Sequence, residues 1–412
     1  MAMEHTATGP VAPIERRGVL PISGVCESLL IRLLRRLRVG SLRVELPSGT
    51  RQSFEGPESG PTAAIRINNP SLVFRLLASG DLGFAEAYMD GDWDTPDLQA
   101  ILMLGACNSV ALSDTLAPSA LFNALNRLRH RLRANTRHGS RRNIAAHYDL
   151  GNAFYGLWLD DTMSYSAGIF DTLDERHEDA QRRKYLRLAD ALDLHPGDRV
   201  LEIGCGWGGF AEIAAAEYGC HVVGLTLSRE QAEFARARMA RAGLADHVDI
   251  RIEDYRDVGG HFDKIVSIEM FEAVGAENWQ TFFEVVKQRL VSGGRAAMQV
   301  ISIADDAYDH YRRNPDFIQR YIFPGGMLPS PSAFAGAVNR SGLSITDRFF
   351  FGASYAESLR RWDDAFQAHW PAIKTLGFDE RFHRMWRYYL RYCEVGFDSG
   401  QIDVGQYVIE RP

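Results

Sequence analysis

The sequence predicts an α/β protein, a doubly wound parallel sheet with helical insertions, preceded by a small α+β unit. Two observations carry this. From residue 199 onward, short β-rich segments alternate evenly with helical ones, the strands being RVLEIG (199–204), HVVGLT (221–226), VDIRIE (248–253), FDKIVSIEM (262–270) and GRAAMQVISI (294–303). The first of them runs straight into Gly204, Gly206, Gly208 and Gly209 and then into a helix, an order in which glycine lets the backbone bend sharply and approach a ligand. The 412 residues, 46% hydrophobic and 24% charged, give room for two or three domains with cores of their own. A net charge of −7 argues against nucleic-acid binding, leaving only a local basic patch open. Cys26, Cys107, Cys205, Cys220 and Cys393 form neither a disulfide framework nor a metal-ligand spacing, so no metal and a reducing cytoplasm are expected. With no apolar leader and no uninterrupted apolar run of about 18 residues, neither export nor a membrane span is expected.

Element by element, residues 1–20 are Pro/Gly-interrupted and read as a tail. Leu29, Leu30, Leu33, Leu34 and Leu37 recur at helical spacing among four arginines, so 26–38 reads as a basic amphipathic helix. Strands follow at 42–46 and 64–67, with a turn at Pro47-Ser48-Gly49, then helices at 71–80 and 83–91. This makes an N-terminal unit of 21–115. Between Asp114 and Asp149 there is no acidic residue and there are seven arginines (127, 129, 131, 133, 137, 141, 142). The segment 116–146 is therefore either a solvated linker helix or, with its stripe of Leu121, Phe122, Leu125, Leu128 and Leu132, a surface for an anionic membrane. Residues 147–412 form the catalytic unit, with 344–352 and 406–411 completing the sheet and extra helices at 304–340 and 355–400.

A dinucleotide site would place an acid at the end of the strand after the glycine turn, to bind ribose. That strand ends Gly224-Leu225-Thr226-Leu227-Ser228, while Glu202 and Asp254 stand nearby. The balance moves from a nicotinamide cofactor to S-adenosylmethionine (SAM).

Six segments then resemble one family: HYDLGNAFYGLWLDDTMSYS (147–166), LEIGCGWGGF (201–210), VVGLTLSREQ (222–231), FDKIVSIEMFEAVG (262–275), FIQRYIFPGGMLPS (317–330) and WRYYLRYCEVGFDSG (386–400). Together they resemble the cyclopropane-fatty-acyl-phospholipid synthases and their mycolic-acid and methyl-branching relatives. The resemblance implies a Rossmann-like SAM-dependent methyltransferase sheet and methyl transfer to the double bond of an unsaturated phospholipid acyl chain. It implies SAM binding by Gly204, Gly206 and Gly208, by Tyr165 and Ser166 at the amino-acid end, and by Thr226, Gln231, Asp254 and Tyr255 around ribose and adenine. A bicarbonate ion would serve as base, at a site of Glu272 with Tyr355, Gln299 and Cys393; Glu269 is a second carboxylate beside it. Most of the aromatic residues at 317–323 and 362–389 read as core.

Two departures stand out. Ala167 and Gln299 occupy positions where cyclopropane synthases usually carry Cys and His, which removes groups that help seat an anion. Ring formation is the leading expectation, and a methyl- or methylene-branched chain is the alternative. The enzyme is expected to be cytoplasmic and peripheral at the inner face of the membrane, docking through 26–38 and 121–133; a homo-oligomer is left open. The rival readings are a small-molecule SAM methyltransferase, a nicotinamide oxidoreductase and a non-enzymatic lipid-binding protein.

Overall fold

A computed structural model describes residues 22–109, 111 and 150–412. The tail at 1–20 and the basic segment at 116–146 lie outside the described residues. Helix α1 (Ile22–Leu34) starts and stops earlier than its leucine spacing suggested. Leu37 closes onto Leu34 in a tighter turn as the chain bends into β1 (Val39–Glu45). The expected turn pairs β1 with β2 (Arg51–Glu55), a strand whose exposed, polar character hid it from the sequence reading. β3 (Glu58–Ile67) begins before the predicted 64 for the same reason. Helix α2 (Ser71–Met89) spans both predicted helices and breaks between them at Gly80, whose φ of 56° suits glycine. β4 (Trp93–Asp94) completes a sheet of order β2-β1-β3-β4, and α3 (Leu98–Cys107) starts where Asp97 caps the Ala100 N–H at 3.0 Å.

The rest of the chain adds α4 (Asn152–Tyr155), α5 (His177–Leu192), β5 (Arg199–Ile203), α6 (Gly209–Tyr218), β6 (His221–Thr226), α7 (Arg229–Arg241), β7 (Val248–Ile252) and β8 (Phe262–Ile268). After these come α8 (Trp279–Arg289), β9 (Leu290–Ile303), α9 (Asp305–Tyr311), α10 (Pro331–Arg340), β10 (Ser344–Phe350), α11 (Gly352–Ala368), α12 (Trp370–Thr375), α13 (Glu380–Asp398) and β11 (Ile402–Glu410). All seven strands expected from residue 199 onward are present, in the order β10-β11-β9-β8-β5-β6-β7. Only β11 runs against its neighbours, so the sheet is mixed at one edge rather than wholly parallel.

Successive side chains of a strand face opposite ways, and here both faces are covered. Leu188, Phe210 and Met239 of α5, α6 and α7 pack on Val200, Val222 and Val248; Phe282 and Phe334 of α8 and α10 pack on Leu201, Ile265 and Met298. A third apolar cluster joins the small sheet and α2–α3 to α4, α11 and α13, with Trp93, Trp158, Trp362 and Trp386 almost wholly buried. Arg384 of α13 fastens this junction, donating to Asp94 (2.9 Å) and to the Trp93 carbonyl (2.6 Å) while lying over the Tyr88 ring. The segment at 359–370 packs as expected: Leu359, Trp362 and Phe366 are core.

Candidate active site

Strand β5 lies between β6 and β8, so the chain order reverses at its carboxyl end, where open α/β sheets bind ligands. Gly204 and Gly206 turn there with φ of 84° and 51°, and the N–H groups of Gly204 and Cys205 both donate to the Leu225 carbonyl (3.0 and 2.8 Å). The turn opens a cavity of about 1150 Å³, counting its mouth.

Eight of the nine residues expected to bind SAM line this cavity: Tyr165, Ser166, Gly204, Gly206, Thr226, Gln231, Asp254 and Tyr255. The ninth, Gly208, does not. It caps α6 behind the wall, where a Cβ would stand 3.2 Å from Ala235 and Met239, so its smallness serves helix packing. Thr226 donates to Gln231 Oε1 (2.8 Å), and Arg256 binds both oxygens of Asp254 (2.8 and 2.6 Å). Burial pushes the Tyr255 hydroxyl up to about 12. Tyr165 bonds the Tyr389 hydroxyl (2.7 Å) and is ringed by Tyr155, Trp158 and Trp362 at 5.5 Å between centroids.

The expected pairing of Tyr355 with Glu272 is not what the structure contains. Tyr355 donates to Glu269 Oε2 (2.6 Å), and Glu269 Oε1 accepts from Gln299 Nε2 (2.7 Å) and the Ala167 N–H (2.9 Å). Glu269 has φ of 49°, a left-handed conformation rare for a residue with a Cβ, and it lines the cavity. Glu272 follows in a single 3₁₀ turn and faces β9, where Oε1 accepts from the Ile301 N–H at 2.5 Å and Oε2 has no protein partner. Burial, and then the charge of Glu269, push the Glu272 carboxyl up to about 8. Neither Glu272 nor Cys393 lines the cavity. Cys393 packs in the aromatic cluster of Tyr355 and Tyr389, and burial holds its thiol well above the ordinary range.

Comparison with known proteins sets this geometry in a family. Residues 135–407 match the family model described as mycolic acid cyclopropane synthetase. The chain is 38% identical to "Tuberculostearic acid methyltransferase UfaA1" of Mycobacterium tuberculosis, over 95% of this chain and 93% of that one. The chain belongs to the mycolic acid cyclopropane synthetase family. It is 37% identical to the "Cyclopropane-fatty-acyl-phospholipid synthase" of Escherichia coli, over 85% of this chain and 88% of the other. The crystal structure of mycolic acid cyclopropane synthase CmaA1 complexed with SAH and CTAB superposes with a TM-score of 0.62 at 31% identity, covering 66% of this chain and 98% of that one. This family member is thus a SAM-dependent methyltransferase.

The wall chemistry fits that cosubstrate. Four carboxylates, Glu202, Glu253, Asp254 and Glu269, line the cavity against a single guanidinium, Arg256, which is already bound to Asp254. An acidic wall whose one cation is already paired suits a sulfonium and an ammonium group better than a pyrophosphate. Glu202 is buried, its Oε2 has no protein partner, and burial pushes its carboxyl up to about 8; an arriving cation would restore its charge. Lys184 is the residue of this family member that sequence reasoning missed. It is wholly buried on the apolar stripe of α5, between Ala180 and Leu188, and a lysine on such a stripe was the available signal. Among the described residues there is no cluster of three metal-ligating side chains, and no helix is long and apolar enough to cross a membrane.

Proposed function

We propose that the enzyme transfers the SAM methyl group to a double bond in an unsaturated phospholipid acyl chain and releases a methylene-branched chain. The observation that carries this reading is Glu269: Tyr355, Gln299 and the Ala167 N–H, three donors that would seat a bicarbonate, converge on a carboxylate of the chain itself. Relatives named for lipid products, one a tuberculostearic acid methyltransferase and one a cyclopropane-fatty-acyl-phospholipid synthase, support the acyl substrate.

SAM supplies an electrophilic methyl carbon. An alkene carbon of the acyl chain bonds to it as the sulfur–carbon bond breaks, and positive charge appears on the neighbouring alkene carbon. The aromatic faces around Tyr165 steady that charge and keep water away. Two fates balance without a further reactant. Early loss of a proton from the new methyl group closes a ring. A hydride shift from the methyl-bearing carbon followed by loss of the same proton leaves a terminal methylene. Glu269, a tethered carboxylate with both oxygens hydrogen-bonded, is a slower acceptor than a mobile anion, which favours the second fate and makes Glu269, rather than Glu272, the base. Ring closure keeps one argument, the 37% identity to the cyclopropane synthase.

The N-terminal unit (21–115) serves as a docking surface beside the catalytic unit (147–412). Leu29 and Leu77, partly exposed, border a groove of α1 and α2 with Arg32 and Arg36, and Phe74 is half exposed on the same helix α2. The other proposed docking helix, 121–133, lies outside the described residues. Methyl-labelled SAM is incubated with vesicles of unsaturated anionic phospholipid, and the released acyl chains are read by mass spectrometry and NMR. Terminal methylene protons are expected; cyclopropane protons would return the assignment to ring formation, and absence of label would remove the lipid reading. Vesicle co-sedimentation should weaken as salt rises.

A further inference from the structure

A buried lysine is costly, because its ammonium gives up water and needs partners in return. The Lys184 ammonium donates to Ser166 Oγ and Gln181 Oε1, both at 2.6 Å, and Gln181 Nε2 holds the Ser166 carbonyl at 2.8 Å. Both ends of Ser166 are therefore fixed by α5. The next residue is Ala167, whose N–H grips Glu269. A second route reaches the same carboxylate. Gln406 of β11 donates to the Lys184 carbonyl (3.3 Å) and to Gln299 Oε1 (3.0 Å), and Gln299 donates to Glu269. The Lys184 ammonium thus reaches Glu269 through Ser166–Ala167, and the backbone of the same residue reaches it through Gln406–Gln299.

We infer that Lys184 is a positioning residue for methyl transfer: as the buried cation behind Ser166 and Ala167, it fixes where the Glu269 carboxylate stands when the acyl cation gives up its proton. The inference rests on the reading of Glu269 as the base. The groups facing this pair come from every element around it. Tyr355 (α11) and Gln299 (β9) donate to Glu269, and Glu272 adds a like charge when ionised; Glu202 (β5) and Asp160 (the loop before α5) face Lys184, its ammonium lies 4.2 Å from the centre of the Tyr185 ring, and His177, pulled down to about 4 by burial, meets Gln181 Nε2 at 3.3 Å. Among these groups Lys184 is the cation. Burial pulls it down to about 8 and pushes Glu269 up, and each charge opposes the shift of the other.

Lys184→Met keeps the volume and removes the charge; Lys184→Gln removes the charge and keeps a donor for Ser166. The full-length variants are compared with the parent in kcat against pH, using methyl-labelled SAM and unsaturated phospholipid vesicles, after melting curves with SAH show which are folded. In both variants the acid limb is expected to move up by roughly one pH unit or more, with KM for SAM changed less than kcat. An unmoved limb in the folded variants overturns the inference. So does a parent-like Lys184→Gln beside a shifted Lys184→Met, since the hydrogen bond alone would then suffice. Glutamine remains the readable variant where methionine does not fold. Glu269→Gln separates the two ideas: normal turnover there removes the base reading itself, whereas a dead Glu269→Gln with parent-like Lys184 variants removes only the role of the lysine.

Discussion

Glu269→Gln removes one charge and leaves the volume of the side chain unchanged. A glutamine carbonyl in the place of Oε1 keeps the bonds from Gln299 and Ala167, and its amide can donate to Tyr355 once that hydroxyl turns. The fold loses the difference between charged and neutral hydrogen bonds, about 1–2 kcal/mol, partly offset because a buried charge has gone. A shift of only a few degrees in melting temperature is expected in a protein of this size. The chemistry loses its proton acceptor, which general-base catalysis values at about 10²–10⁴ in rate, or about 3–5 kcal/mol. The assay is the initial rate of labelled methylene-branched acyl product at saturating SAM, with the SAH-induced rise in melting temperature as a check that the cosubstrate site is intact. A folded, SAH-binding variant that turns over within about threefold of the parent refutes the assignment.

Glu269→Gly relieves the left-handed backbone and vacates the anion seat, so bicarbonate in the assay buffer should restore part of the lost activity and shift product toward the ring; no response to bicarbonate counts against the seat. Glu272→Gln is expected to retain at least about tenfold more activity than Glu269→Gln, and equal losses would mean that both carboxylates handle the proton. Because burial raises Glu202 and Glu272 from 4.5 to about 8, the folded chain keeps protons that the unfolded chain releases, so their contribution to stability is largest at low pH and declines as pH rises from about 4.5 to about 8; Glu272→Gln should flatten that decline in melting temperature. Gly204→Ala places a Cβ 2.7 Å from Met270 at a φ of 84°, so it should shrink the SAH-induced melting shift and destabilise the fold by about 1–3 kcal/mol. Asp363→Ala removes the carboxylate shared by Arg387 and Arg391 in the α11–α13 contact while Arg391 keeps Glu394 and Asp364, and should cost about 1–3 kcal/mol in denaturant unfolding.

The large sheet was legible because its central strands are apolar on both faces and its helices amphipathic, so periodicity and burial agree. β2 escaped because it is a polar edge strand, and the first half of β3 because its side chains meet solvent. The cosubstrate cavity was legible at Gly204 and Gly206, where backbone conformation limits the residue choice, and Tyr165, Thr226 and Asp254 arrived in it through the resemblance. The choice between Glu269 and Glu272 was not legible. It depends on a single left-handed φ at the end of β8, which sends one carboxylate into the cavity and leaves the other facing β9. Lys184 was hidden for a related reason: its neighbours Ser166 and Gln181 identify it only after the loop before α5 has folded over the sheet.

Helix α13 carries the N-terminal unit on one flank. There α2 and α3 lie directly on it, with Tyr88 against Tyr388 and Asp90 and Asp94 paired to Arg381 and Arg384. Trimming the gene to begin at α4 would strip that helix bare along a tyrosine-and-arginine seam. A minimal version for crystallography or engineering would first need those seam positions recoded for contact with solvent.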